Sequence, residues 1–71
     1  MPLIEARRAL TGMAPGEVLV VLATDPEAPI DLAALAADEG HGFERAWEAD
    51  EGDRFERGAW RITLTKGANA R

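Results

Sequence analysis

At 71 residues with 46% apolar content, the chain is one small globular domain with a modest core, and its composition is not that of a disordered polymer. Thirteen acidic residues against eight basic ones leave a net charge of −5, which argues against nucleic acid or an anionic membrane surface as the main partner. Solubility is the plain reading of that charge, with steering toward a basic protein patch the sharper one. No cysteine is present, so disulfides, thiolate metal sites and thiol chemistry are excluded for these residues. No apolar run approaches a membrane span, and a charged amphipathic N-terminus is not a signal peptide, so the expected location is the cytoplasm.

The chain opens on a helix. Leu3, Ala6, Leu10 and Met13 recur at helical spacing, with Glu5, Arg8 and Thr11 on the other side. Pro2 suits the first turn, where its missing N–H costs nothing, and Gly12 is a stop signal, so the first helix is expected over about residues 2–12. Pro15-Gly16 has the signature of a type II turn. Residues 17–24 are a near-continuous apolar run of strand length, the pattern of a strand covered on both faces or lying in a parallel sheet.

Asp25-Pro26 ends that strand, and Pro29 is expected to delay the second helix to about residues 30–39. Leu32, Leu35 and Ala36 form its buried stripe, and Gly40 stops it. Phe43, Arg45 and Trp47 alternate with Glu44, Ala46 and Glu48 as a strand would. Residues 49–53 read as a turn. A strand follows over residues 55–66, with Trp60, Ile62 and Leu64 on one face and Arg61, Thr63 and Thr65 on the other. The two strands make a hairpin, and residues 67–71 are expected to be a flexible tail after a single domain of residues 1–66. The order helix, strand, helix, strand, strand gives an α+β fold: one sheet with two helices on one face.

The ordered set resembles the TusA/SirA-like family of small sulfur-carrier proteins from Met1 to about Lys66. Pro2, Ala6-Arg7 and Leu10 are similar to the second half of that family's Cys-Pro-x-Pro helix. Pro15-Gly16-Glu17-Val18-Leu19 is similar to its strand entry, and Ala23-Thr24-Asp25-Pro26 to its strand exit. Asp31-Leu32 with Gly40-His41 resembles the second helix and its end, and Trp60 to Lys66 the closing strand. The resemblance implies a two-layer β-α-β-α-β-β sandwich with a mixed sheet. Its first strand is missing here, leaving α-β-α-β-β, and the family's Cys-Pro pair would fall just before Met1. Members relay sulfur as a cysteine persulfide, from a cysteine desulfurase or rhodanese to a downstream acceptor in tRNA thiolation, cofactor assembly or sulfur oxidation.

On that reading no residue of this chain is catalytic, and whether it is an enzyme stays open. Pro2 is the remnant of the sulfur motif, against an ordinary first-turn proline. Asp25 lies beside the sulfur site at the strand's end, against a simple helix cap. Glu5 and Arg8, with Arg7, are candidate partner contacts, against a solvated helix face. His41 is expected as an exposed loop histidine rather than a ligand with Glu39 or Glu44, and no metal or cofactor is expected. Glu48, Asp50, Glu51 and Asp53 read as a solvated hairpin tip, and Trp47 and Trp60 as core. The function expected is sulfur carriage, inactive in this cysteine-free chain, with a non-catalytic protein-binding module of the same family as the alternative. An exposed strand edge at residues 18–22 predicts a homodimer.

Overall fold

The computed structural model of the protein describes residues 2–49 and 58–68. In chain order these form α1 (Pro2–Thr11), β1 (Val18–Ala23), α2 (Ala28–Glu39), β2 (Gly42–Ala49) and β3 (Gly58–Thr65). The three strands make one antiparallel sheet in the order β1-β3-β2. Both helices lie on one of its faces, as the apolar periodicity requires.

The core follows from the two periodicities. Ala6 and Leu10 of α1, and Leu32, Leu35 and Ala36 of α2, are buried against Ile62 and Leu64 of the central strand. Leu19 and Val21 of β1 and Phe43 of β2 close around them. Burying each such side chain contributes roughly 1.5–3 kcal/mol.

The apolar run of β1 is not covered on both faces. Val18, Val20 and Leu22 are 54%, 45% and 68% exposed, and β1 pairs antiparallel with β3. A sheet with helices on one face leaves alternate residues of every strand in water, even where the sequence is apolar throughout. The parallel pairing that would make the sheet mixed is not among the described residues.

The turn into β1 is of the expected type. Glu17 N–H donates to the Ala14 carbonyl at 3.1 Å across Pro15-Gly16, and Gly16 has φ 89°, the left-handed value a second turn corner requires. Two other expectations need correction. Helix α2 begins at Ala28, and Pro29 sits buried in its first turn, where a missing N–H breaks no hydrogen bond. The residues after β3 do not all fray, because Gly67 N–H donates to His41 Nδ1 at 3.1 Å. Ala49 belongs to β2, while residues 50–57 of the expected turn and strand start, and 69–71 of the tail, lie outside the described residues.

Candidate functional site

The two helices run side by side and bring their N-terminal ends to one end of the molecule. The far end of α1 is anchored by Lys66, whose ammonium donates to the Leu10 carbonyl at 2.6 Å and whose N–H donates to the Glu17 carbonyl at 2.8 Å. The start of β1 is therefore beside the end of α1. The ten residues of α1 run back about 15 Å along a strand of about 20 Å, toward the Ala23 end. Helix α2 runs parallel to α1: Leu3 and Arg7 line a groove with Asp31, Ala34, Leu35 and Asp38, and Arg7 Nε pairs with Glu39 Oε2 at 2.8 Å.

This end gathers four things: the start of α1 at Pro2, the β1–α2 loop with Asp25, the start of α2, and the row Ala23, Trp60, Trp47 across the sheet. The N–H groups of Leu3 and Ile4 have no intrahelical acceptor, as in any first turn, so the start of α1 favours a negative atom. The start of α2 is already occupied. Asp25 Oδ1 accepts the Glu27 N–H at 2.8 Å, and its carbonyl accepts the Ala28 N–H at 3.1 Å. Asp25 thus shapes the turn ahead of α2 instead of capping it, since the capping residue is Glu27 and it makes no side-chain bond.

The remaining candidates fall in different places. Glu5 stands in the first turn of α1 and, with Ala6 and Ala9, faces Leu19–Leu22 across a shallow groove. Arg8 is exposed one turn beyond Ile4, away from the loop that holds Asp25. Arg7 is tied to Glu39 rather than solvated alone. Glu48 lies 3.4 Å from Arg61, and both are about half exposed, so this pair contributes little. Asp50, Glu51 and Asp53 lie outside the described residues.

Trp47 is 47% exposed and is not core. It meets Trp60 edge to face with ring centroids 5.3 Å apart, and the Arg45 guanidinium lies 5.3 Å from the Trp60 ring centre. Placing these aromatics at the helix-start end needs the strand register, which pairs Ala23 with Trp60 and Trp60 with Trp47. His41 is the clearest correction. Its side chain is 1% exposed, held between Gly67 and the end of α2.

Among the described residues, no helix is long and apolar enough to cross a membrane, and no three His, Asp or Glu side chains cluster to hold a metal ion.

The family model described as Sulfurtransferase TusA matches residues 1–66. Two curated relatives from Neisseria meningitidis are similar to the chain. One, from serogroup A, is named "Putative sulfur carrier protein NMA0882", and the other, from serogroup B, "Putative sulfur carrier protein NMB0681". Each is 44% identical over 50 residues, covering 70% of this chain and 68% of the relative. No solved structure gives a significant match. The chain belongs to the TusA sulfurtransferase family.

Proposed function

We propose that these 71 residues are the body of a sulfur carrier whose acceptor thiol is supplied by a cysteine immediately before the position of Met1. The observation that carries this reading is the start of α1 at Pro2, beside the Ala23 end of β1, in a chain matched by the TusA family over residues 1–66. A thiolate there sits at the positive end of a helix. It attacks the outer sulfur of a donor persulfide, a new S–S bond forms, and the donor's cysteine leaves as its thiolate, with no net oxidation. The donor is a cysteine desulfurase or rhodanese, and the acceptor serves tRNA thiolation, cofactor assembly or sulfur oxidation in the cytoplasm. Pro2 and Asp25 border the sulfur atom, Glu5 and Arg8 meet the partner protein, and residues 1–66 are the folded unit.

The test is sulfur loading. A chain extended upstream with its natural residues, including Cys-Pro, is expected to gain one sulfur atom from cysteine desulfurase and cysteine, as read by intact mass. An extended chain that stays unloaded with every desulfurase and rhodanese of its own organism overturns the reading.

A second reading rests on the absence of cysteine: the 71 residues by themselves bind a sulfur-relay protein without transferring sulfur. Capture of a desulfurase by the cysteine-free chain, with no persulfide formed on it, is its expected result.

In these 71 residues β1 stands at the margin of the described sheet with an apolar outer stripe, and such edges pair with other chains. The 71-residue chain is expected to dimerise along β1 at high concentration. Val20→Lys puts a charge into the stripe and is expected to return the monomer. Sedimentation showing a clean monomer of the unaltered chain overturns this expectation.

A further inference from the structure

We propose that His41 is a proton-operated latch that holds the segment after β3 against the helix layer. The neutral ring is required in one form. Its Nδ1 accepts the Gly67 N–H at 3.1 Å, so the ring proton is assigned to Nε2. That Nε2 is sealed from solvent with no hydrogen-bond partner among the described residues, and Glu39 Oε1 stands 3.8 Å away, beyond bonding length. The other oxygen of Glu39 is held by Arg7.

Gly67 reaches the ring because it has no side chain. A Cβ there would collide with the Gly40 carbonyl oxygen. The neighbouring Lys66 is bonded three ways: its N–H to the Glu17 carbonyl, its carbonyl from the Gly16 N–H at 2.9 Å, and its ammonium to Leu10. Two residues thus join the end of α1, the turn into β1 and the α2–β2 corner, and His41 supplies the last of these joints.

A second proton on His41 goes to Nδ1. That nitrogen then has no lone pair for Gly67, and two N–H groups face each other. The Gly67 bond is lost, and the ring cation's Nε2–H draws on Glu39 in competition with Arg7. Among the described residues, the charged groups nearest the ring are Glu39 from α2, Arg7 from α1 through Glu39, and Lys66, next to Gly67 in the chain, whose ammonium is engaged by the Leu10 carbonyl. Glu44 of β2 pairs with Thr63 in a row on the opposite face of the sheet. The latch is closed while His41 is neutral and opens when the ring takes a second proton.

The test is an NMR titration of the 71-residue chain, following the His41 ring nitrogens and the Gly67 amide. The neutral ring is expected to carry its proton on Nε2. The Gly67 amide is expected to shift with the same midpoint as the ring. Its hydrogen-exchange protection, corrected for the intrinsic pH dependence, is expected to fall about fivefold across that midpoint. His41→Asn places a carbonyl oxygen near the Nδ1 position and does not titrate, so Gly67 is expected to become insensitive to pH. The proposal is overturned if Gly67 ignores the ring's titration in the unaltered chain, if the neutral ring carries its proton on Nδ1, or if Gly67 still titrates in His41→Asn.

Discussion

Offered sulfur by a cysteine desulfurase, the 71-residue chain is expected to gain no persulfide at all, while a chain extended by its natural upstream residues loads fully. The difference is absolute because the chemistry has no substitute here. Sulfane sulfur is accepted by a thiolate, and the chain has no cysteine. Its two methionines have thioether sulfurs, which carry no acidic proton and form no persulfide. The helix start contributes a smaller term. Its dipole and the first-turn N–H groups favour a thiolate by roughly 0.3–1 kcal/mol, less than one pH unit of acidity. Changing the proposed upstream cysteine to serine is therefore expected to abolish loading, whereas Pro2→Ala in the extended chain slows it several-fold at most. Sulfur appearing on the cysteine-free chain, by intact mass with a reductant control, would sink the proposed site.

Ile62→Ala is expected to remove about 3 kcal/mol of stability, within the range of 2–5 for large core truncations. Ile62 is fully buried on the central strand, flanked by Val21 of β1 and Arg45 of β2 and roofed by the helices. A chain of this length has a total on the order of 4–11 kcal/mol, so one such change takes a large part of it. Leu22→Ala provides the contrast. Leu22 is as apolar as its neighbours but 68% exposed, and its truncation is expected to cost within about 0.5 kcal/mol. Urea unfolding of both variants decides the layer assignment. Equal losses at Leu22 and Ile62 would mean that the outer face of the sheet is covered in the folded protein.

Most element positions were readable because local rules dominate them. The stripe Leu3, Ala6, Leu10, the Pro15-Gly16 corner and the alternation of Trp60, Ile62 and Leu64 all appear where the residue pattern places them. Pro29 misled because proline is disruptive only where a helical N–H is needed, and helix starts do not need one. Of the candidate site, the sequence names Pro2 and Asp25 through the resemblance, and the structure adds that the start of α1 and the loop after β1 lie at one end of the molecule.

What the sequence by itself determined is the family, the order of elements and the absence of a thiol, because these depend on residue identity and short-range spacing. What only the tertiary structure decided are relations across long separations. Val18, Val20 and Leu22 belong to a run that reads as covered on both faces, and the β1–β3 register puts them on the side away from the helices. Trp47 reads as core until the β2–β3 pairing carries it out to the exposed end of the row it shares with Trp60 and Ala23. His41 reads as a loop residue until Gly67, far along the chain, closes over it. Burial is set by what another part of the chain covers, and no local spacing encodes that.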